Sequence, residues 1–564
     1  MPFGYTGKII RLNLSTAEIK IEEPGDLFYR KYYGGKGFVA YYLLKEVPPH
    51  SDPLGAENKL IFAVGILTGV PVAAMSRFSV GAKSPLTGAF GQSEAGGFWG
   101  PELKKAGYDA LIIEGKAPAP VYIHIHDDKI EIKDARHLWG KETGEVQDLI
   151  RKELKDQNVR IAQIGPGGEK LVRFACIVNE LKHFNGRNGL GAVMGSKNLK
   201  AVAVRGTQKI PLYNEEKVKE IGKRFAAMFM DHPLSRTLYE YGTSAGVSTL
   251  NAGGNLPTRN FIKGEFEGAE KISGQTMAGT ILQKREGCYA CAIRCKRVVK
   301  VEKEHFGVDP RFGGPEYETI GSFGSLCEID DLELIAKANE LCNRYTIDTI
   351  STGAVVAFVM ECFEKGLLSK EDLDGMELAF GHGEGVLQLI EKIARREGIG
   401  DLLAEGSLRA AQKIGQGSFE FALCVKGQEL PMHDPRAKYG LGLGYAVSEI
   451  GADHMVAAHD PLLAQEGIIL ESVASLGILE PVSPLELTPR KIRNFCYLQQ
   501  WWCFHNMAGI CHFGPVPRGS LPITDVVELF RAATGWDASL WEMMKSGERV
   551  INMARMFNLR EGFT

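Results

Sequence analysis

Three cysteines close together in the middle of the chain carry its clearest chemical signal. Cys288, Cys291 and Cys295 have the spacing C-x2-C-x3-C, and Gly287 precedes them. This spacing lets one loop direct several thiolates to a single point, as an iron–sulfur cluster or a zinc ion requires. It favours an iron–sulfur cluster over zinc or over three thiols that bind no metal. Three ligands are one short of four, so we predict a fourth ligand from another part of the chain.

The other eight cysteines are scattered, mostly in apolar helical segments. Spacing alone leaves Cys496, Cys503 and Cys511 equally open as the fourth ligand. The total of 11 is odd and shows no regular pairing, which argues against a disulfide framework and indicates a reducing compartment. The N-terminus lacks a signal-peptide pattern, and glycine and proline interrupt the longest apolar stretch, residues 60–75. We therefore predict a cytoplasmic protein with no membrane span.

Two glutamates and a histidine are the predicted acid–base groups. Glu316 and Glu318 lie in the sequence G-P-E-Y-E-T, and in an extended segment their carboxylates would share one side. Beside a buried cofactor such a carboxyl group has a raised pKa and can transfer protons near neutrality. His454 is included because imidazole titrates in the same range. The alternative for all three is a structural role. The His-Asp pairs at 433–434 and 459–460 are interpreted as capping or turn pairs.

Basic residues flank the cysteines, namely Arg285, Arg294, Lys296 and Arg297. Positive charge beside a cluster raises its reduction potential and offers a docking surface to an acidic electron carrier. The alternative is that they are ordinary solvated side chains. The chain as a whole has a net charge of −3, which gives no bias towards nucleic acid or a membrane surface.

The elements that must position these groups change type along the chain. At 564 residues, 44% hydrophobic and 24% charged, the chain is long enough for two to four globular domains. Period-two alternation predicts a strand at residues 8–14 and a hairpin at 121–133, so residues 1 to about 205 read as β-rich. Amphipathic helices are predicted at 215–230, 331–345 and 385–396.

Glycine-rich loops punctuate the β-rich part at 34–37, 96–97, 165–168 and 186–191. None has the pattern of a P-loop or of a Rossmann turn, so a dinucleotide site is not expected. The loop at 186–195 resembles an anion-binding nest with Arg187 as a partner. Residues 343–348 and 506–511 both follow N-x-x-x-I-[DC], which predicts two equivalent loops that grip two copies of one ligand part; the alternative is a chance match.

Over nearly its whole length the chain resembles the tungsten-dependent aldehyde:ferredoxin oxidoreductases. The resemblance is carried by G-Y-T-G-K-I-I-R-L-N-L at 4–14, G-G-K-G at 34–37, R-F-S-V-G at 77–81, K-S-P-L-T-G at 83–88, A-G-G-F-W-G-P-E-L-K at 95–104, G-L-G-A-V-M-G-S-K-N-L-K-A at 189–201, the cysteine triplet and G-P-E-Y-E-T at 314–319.

The resemblance implies an α+β fold. A β-rich domain over residues 1–208 is the base for two pterins that hold one tungsten, with molybdenum as the alternative metal. Mainly helical domains follow at 209–415 and 416–564. The resemblance also implies a [4Fe–4S] cluster bound by Cys288, Cys291, Cys295 and, as the fourth ligand, Cys511. It places acid–base groups at Glu316 or Glu318 and at His454. The implied pterin contacts are Arg77, Glu94, Ala95, Gly96, Gly97, Asn185, Gly186, Arg187, Asn343, Ile347, Asp348, Asn506 and His512.

Some positions depart from the family pattern. Asn343 and Asn506 replace the acidic residue that usually leads each pterin loop, and Thr346 replaces a glycine. Glu94 stands where asparagine is more usual, and Phe184 where a basic residue is often found.

The leading functional hypothesis is oxidation of aldehydes to carboxylic acids, with electrons passed through the cluster to ferredoxin or a partner subunit. The first alternative is the tungsten subunit of an aryl-coenzyme A (benzoyl-CoA type) reductase complex, in which Cys327 could ligate the metal instead of packing in a core. The second is a redox-inactive scaffold, against which the intact cysteines and P-E-Y-E segment argue. A homodimer or hetero-oligomer is expected, and no nucleic-acid partner.

Overall fold

The first 205 residues build two six-stranded mixed sheets, as the strand periodicity predicts. The structure is a computed structural model that describes residues 2–303 and 305–564. The first sheet has the strand order β2-β1-β6-β3-β4-β5, in which only β1 and β6 run parallel. Its strands are β1 (Ile9–Asn13), β2 (Glu18–Glu22), β3 (Leu60–Val64), β4 (Phe78–Lys83), β5 (Phe90–Ala95) and β6 (Ala110–Glu114).

The second sheet has the order β11-β10-β9-β12-β7-β8, with β12 and β7 parallel. Its strands are β7 (Val121–His126), β8 (Lys129–Asp134), β9 (Arg160–Gln163), β10 (Ile177–Asn179), β11 (His183–Asn185) and β12 (Leu199–Arg205). The predicted hairpin is confirmed as β7 and β8. Apolar side chains of both sheets share one core around Trp99, whose indole Nε1 donates to Val202 O at 2.9 Å. This double layer is a rigid base for the helical part.

Helices and short ladders form the remainder. The N-terminal part adds α1 (Asp26–Tyr32), α2 (Gly35–Glu46), α3 (Trp99–Lys105), α4 (Thr143–Leu154), α5 (Pro166–Glu169) and α6 (Leu190–Ser196). Then follow α7 (Glu215–Met228), α8 (Pro233–Tyr241), α9 (Gly246–Ala252), α10 (Gly274–Gly279), α11 (Tyr317–Phe323), α12 (Leu332–Tyr345), α13 (Thr349–Glu364), α14 (Glu384–Arg395), α15 (Ile399–Leu403), α16 (Ser407–Ile414), α17 (Tyr439–Val447), α18 (Ile468–Glu471), α19 (Pro489–Ala508), α20 (Ile523–Thr534) and α21 (Leu540–Arg560).

Three two-stranded ladders interrupt these helices, formed by β13 (Leu282–Glu286) with β14 (Lys296–Val299), β15 (Val301–Glu302) with β16 (Gly307–Val308), and β17 (Cys424–Val425) with β18 (Gln428–Glu429). The three predicted helices are confirmed as α7, α12 and α14. An α+β fold with a β-rich N-terminal domain and helical domains after it is therefore confirmed, while the boundaries at 208 and 415 stay a prediction. Across the described ranges, no helix is long and apolar enough to cross a bilayer.

Close backbone contacts seat the end of α19 against the first sheet. A Cβ atom on Gly65, just after β3, would lie 2.1 Å from the carbonyl carbon of Ala508, so only glycine fits there. Two backbone hydrogen bonds lock the junction: Leu67 N donates to Ala508 O and Cys511 N donates to Ala74 O, each at 2.8 Å. Cys511 is therefore positioned by the N-terminal domain.

Candidate active site

One internal cavity of about 360 Å³ lies between loops of the N-terminal sheets and the helical part. It brings together most of the residues predicted from the sequence. Those on its walls are Arg77, Glu94, Gly96, Gly186, Arg187, Cys288, Cys291, Cys295, Glu316, Glu318, Asn343, Ile347, Asp348, His454, Asn506, Cys511 and His512. Ala95, Gly97 and Asn185 are not on the walls. Ala95 pairs with Phe78 in the first sheet, and Asn185 Nδ2 donates to Ser93 O at 3.0 Å.

The cysteine triplet and Cys511 meet at one end of the cavity, although more than two hundred residues separate them. All are free thiols. Burial raises the pKa of Cys291 to about 12 and also raises the pKa values of Cys288 and Cys295. A thiol binds metal as thiolate, so these groups bind a cluster only with loss of their protons. Four converging thiols fit a four-iron cluster.

Gly96 and Arg77 lie directly against the thiols. A Cβ atom on Gly96 would stand 2.6 Å from Cys288 Sγ, so any larger residue would collide with that ligand. Arg77 Nη2 donates to Cys511 Sγ at 3.5 Å, and its Nη1 donates to Glu94 O at 3.2 Å. A guanidinium beside a thiolate-bound cluster offsets the cluster's negative charge. Both observations support a cluster at this end.

The two N-x-x-x-I-[DC] segments adopt the same local structure. Each ends a helix at a residue in the left-handed region, Thr346 (φ 56°) after α12 and Gly509 (φ 82°) after α19. The next residue, Ile347 or Ile510, donates its N–H to the carbonyl five positions earlier, as in a Schellman motif. The two segments are therefore alike in backbone structure, as predicted, while their contact with two copies of one ligand part stays a prediction.

Both segments are anchored to the N-terminal domain in the same way. Asp348 N donates to Phe174 O at 3.1 Å, and Cys511 N donates to Ala74 O at 2.8 Å. Asp348 also caps α13 by accepting from Ile350 N and Ser351 N, and its carboxylate lies 3.3 Å from Arg187 Nε. The cavity therefore has two matching sides.

Arg187 is held by the protein itself. Its Nη1 donates to Ala452 O at 2.8 Å and its Nη2 to Glu429 O at 2.6 Å, in addition to the Asp348 contact. With these partners the guanidinium fixes the loop at 186–191 beside the cavity. Its contact to an anion stays a prediction.

Glu94 and Asn506 contact each other across the cavity wall. With its amide nitrogen facing the acceptors, Asn506 donates to His512 Nε2 at 2.7 Å and to Glu94 Oε2 at 3.1 Å. Burial raises the pKa of Glu94 to about 7. At this side of the cavity Glu94 thus supplies the acidic group and Asn506 supplies the amide.

The prediction that Glu316 and Glu318 share one side of an extended segment is wrong. Glu316 is the N-cap of α11 and Glu318 lies in its first turn, so the backbone turns between them. Glu316 is bound by Lys296 at 2.7 Å and by the hydroxyl of Thr243. Burial alone would raise the pKa of Glu316, but Lys296 and Thr243 hold it below its ordinary value. Glu316 therefore forms an ion pair with Lys296 in the cavity wall.

Glu318 faces His454, which the sequence assigned to the site, and His433, which it did not. Its Oε2 accepts from Met432 N at 2.8 Å. Its Oε1 lies 3.2 Å from His433 Nε2 and 3.5 Å from His454 Nε2, and it accepts no hydrogen bond from the described residues. A buried carboxylate oxygen without a donor is available to a ligand or water in the cavity. The three facing atoms lie within 4.8 Å of one another, a spacing that also suits a metal ion.

Lys438 defines the hydrogen position on His433. The Lys438 ammonium is 3.1 Å from His433 Nδ1, and an ammonium can only donate. While Lys438 is charged, His433 Nδ1 is therefore the acceptor, and Nε2, the ring nitrogen nearer Glu318, carries the hydrogen. Burial lowers the pKa of Lys438 to about 7 and that of His433 well below its ordinary value. This arrangement favours a proton-handling group over a metal site.

His433 and His459 are the functional residues that sequence reasoning missed. Their neighbours behave as predicted: Asp434 caps a turn by accepting from Arg436 N, and Asp460 accepts from Gly440 N, both at 2.9 Å. The histidine rings instead pack on each other, with centroids 4.6 Å apart, and His459 Nε2 contacts His454 O at 2.8 Å. The available signal was the repeated H-D-P sequence at 433–435 and 459–461 in a chain that has 13 histidines.

The buried histidines make stability depend on pH. Burial lowers the pKa of His454 to about 4 and lowers those of His433 and His459 well below the ordinary value of 6.5. The unfolded chain therefore binds more protons between pH 6.5 and 4, and the free energy of unfolding falls as pH falls through that range. We expect His454 alone to account for a loss of about 2–4 kcal/mol.

Urea unfolding of the wild type and of His454→Gln at pH 7 and pH 4.5 measures this effect. The variant should lose less stability than the wild type on acidification. His137→Gln is the matched control, because that side chain is half exposed and distant from the cavity. An equal loss of unfolding free energy between pH 7 and pH 4.5 in the wild type and His454→Gln would contradict the prediction.

The β-rich base, the helical cover and the enclosed cavity shared by four thiols and an acid–base group define a cofactor-dependent enzyme. Residues 9–206 match the family described as "Aldehyde ferredoxin oxidoreductase, N-terminal domain", and residues 220–564 match "Aldehyde ferredoxin oxidoreductase, domains 2 & 3". The chain belongs to the aldehyde ferredoxin oxidoreductase family.

Several known proteins are similar over almost the whole chain. The tungsten-containing aldehyde ferredoxin oxidoreductase of Pyrococcus furiosus is 41% identical over 565 residues, covering 99% of this chain and 89% of the relative. The WOR-like subunit of the aliphatic sulfonate oxidoreductase of the same organism is 36% identical over 589 residues, with 99% and 87% covered. Among solved structures, the active-site complex BamBC of benzoyl coenzyme A reductase has a TM-score of 0.85 at 26% identity and covers 100% of this chain and 90% of that one.

Proposed function

We propose that this enzyme oxidises aldehydes to carboxylic acids at a tungsten–pterin centre and passes the electrons through a [4Fe–4S] cluster to ferredoxin or a ferredoxin-like subunit. The observation that carries the proposal is the shared cavity, because the four cysteines and Glu318, whose Oε1 has no hydrogen-bond partner among the described residues, line one space. The 41% identical relatives that are named for this activity support the assignment.

The residues present fit the proposed cofactors. Cys288, Cys291, Cys295 and Cys511 would hold the cluster, with Gly96 and Arg77 against it. The loops that follow α12 and α19 match in backbone geometry, as two pterins related by approximate symmetry would require. Two residues on the cavity wall, Glu318 and His454, have buried polar atoms, Oε1 and Nδ1, with no hydrogen-bond partner among the described residues, and such atoms are available to a ligand.

Oxidation of an aldehyde by water yields a carboxylic acid, two electrons and two protons. The bound tungsten centre would supply the two-electron acceptor. The protein must take up the protons and hold the reacting water, and Glu318 Oε1 is the acceptor that faces the cavity. His433 and His454 lie beside this oxygen. Lys438 holds His433 in the tautomer that can donate to Glu318.

A viologen-linked aldehyde assay with anaerobically purified protein tests the proposal. We expect turnover of simple aldehydes, together with about one tungsten and four irons per chain. Apo-protein that is stripped of metal is the matched control and should be inactive. Metal-replete protein that oxidises no aldehyde in a chemically broad panel would contradict the proposed reaction.

A second function is supported by the structural similarity to the benzoyl coenzyme A reductase complex over the whole chain. In that case the same cavity would take electrons from the cluster and reduce an aryl-coenzyme A. A role for Cys327 as a metal ligand is not supported. This residue is fully buried in a turn, where its Sγ donates to Ser322 O at 3.3 Å. An aryl-coenzyme A assay beside the aldehyde panel separates the two functions.

The remaining assignments are also proposals. We propose an anaerobic, cytoplasmic enzyme that acts as a homodimer or within a hetero-oligomer, since a reduced cluster and free thiols require a reducing setting.

A further inference from the structure

The outer side of the cysteine loop forms a surface concavity of about 680 Å³. Phe98, Arg285, Glu286, Ala290, Ala292 and Arg294 line it together with the backbone around Gly287, and Cys288 and Cys291 form part of its wall. The same two cysteines also line the internal cavity. A single loop of chain is therefore all that separates the cluster site from this part of the surface.

Positive charge dominates the rim of the concavity. Arg285 and Arg294 are exposed, and neither forms a salt bridge with a carboxylate in the described part of the chain. The carboxylate in the lining, Glu286, is shared by Lys182 and Lys284. Arg285 packs its guanidinium 5.3 Å from the centre of the Tyr239 ring, which fixes its position.

Half of the basic patch predicted from the sequence is not available to a partner. Lys296 turns inward to Glu316 at 2.7 Å and lines the internal cavity. Arg297 is 3% exposed and donates to the backbone oxygens of Glu240 and Arg294. These two residues brace the loop from inside, so the surface charge rests on Arg285 and Arg294.

We propose that this concavity is the docking surface for a small acidic iron–sulfur electron carrier, which takes one electron at a time from the cluster at Cys288 and Cys291. The partner follows from charge complementarity: two exposed arginines that have no carboxylate partner among the described residues attract an acidic surface at this place beside the cluster site. In each transfer the cluster loses one electron and the oxidised carrier gains it. This inference deepens the proposed function, because it assigns the place where electrons leave.

The test mixes dithionite-reduced protein with an oxidised acidic ferredoxin and follows carrier reduction by stopped flow. We expect Arg285→Glu/Arg294→Glu to lower the second-order rate constant about 10- to 100-fold at low ionic strength, with the difference shrinking as salt screens the charges. Arg285→Gln/Arg294→Gln should fall between the two. Lys20→Glu/Lys129→Glu, at exposed positions in the N-terminal sheets, makes the same charge change and should react like the wild type.

Reduction of a viologen dye and the paramagnetic signal of the reduced cluster show that the variants keep an intact centre. Unchanged rate constants in both arginine variants would overturn the proposal. Protection of residues 284–294 from hydrogen exchange by a stoichiometric co-purifying subunit, without added carrier, would assign the face to a permanent subunit and also overturn it. The assay uses no aldehyde, so its failure is distinguishable from failure of the proposed reaction.

Discussion

Replacing Cys511 with alanine is expected to remove the [4Fe–4S] signal and to abolish transfer of electrons to ferredoxin. Cys511 lines the cavity together with the triplet, its N–H is fixed to Ala74 O at 2.8 Å, and Arg77 donates to its Sγ. Among the described residues of the cavity wall, the one further thiol besides the triplet belongs to Cys176. Iron content and electron paramagnetic resonance of reduced protein measure the effect.

Cys503→Ala is the matched control. This cysteine precedes Cys511 in the same region but is 3% exposed, lies in α19 and packs in the apolar core. The variant should keep about four irons per chain and lose only packing energy, of the order of 1–3 kcal/mol. A cluster that survives Cys511→Ala but not Cys503→Ala would show that the ligand assignment is wrong.

The second large effect is expected at Glu318. Glu318→Gln keeps the shape of the side chain and its contact with Met432 N, but it removes the proton acceptor that faces the cavity. General-base catalysis by a positioned side chain contributes about 10²- to 10⁴-fold, and we expect kcat to fall by that factor. The measurement is viologen-linked aldehyde oxidation normalised to tungsten content.

Glu316→Gln separates catalysis from structure at the neighbouring carboxylate. Because Glu316 neutralises Lys296, its replacement should lower the free energy of unfolding by about 1–3 kcal/mol while kcat per tungsten changes little. His433→Phe should lower kcat less than Glu318→Gln and should shift the pH dependence of kcat, since it removes the Lys438–His433 contact. Equal kcat losses in Glu316→Gln and Glu318→Gln would contradict the roles assigned here.

Local patterns in the sequence predicted the parts of this enzyme that depend on neighbouring residues. The hairpin at β7 and β8 and the helices α7, α12 and α14 all follow from periodicity. The repeated N-x-x-x-I-[DC] pattern also predicted two equivalent loops, because a helix end is a local structure.

Local sequence patterns could not predict the contacts between segments that are distant in the chain. His433 reaches Glu318 because the segment around Met432 packs against α11, and no local pattern encodes that approach. The inward turn of Lys296 depends on Glu316, and the extended geometry expected there failed because Glu316 begins a helix. The choice of Cys511 as fourth ligand came from family resemblance, and spacing alone had left it open.

The close backbone contacts that join Gly65 and Ala74 to the end of α19 have a consequence for biosynthesis. The last helix, α21, also fastens this region: Asn558 Oδ1 accepts from Phe90 N at 2.7 Å, and Glu561 pairs with Lys83 at 2.7 Å. During translation the strands and the cysteine triplet are made long before Cys511 and α21. We therefore expect the proposed cofactors to enter only after α21 has been synthesised and packed against the N-terminal domain.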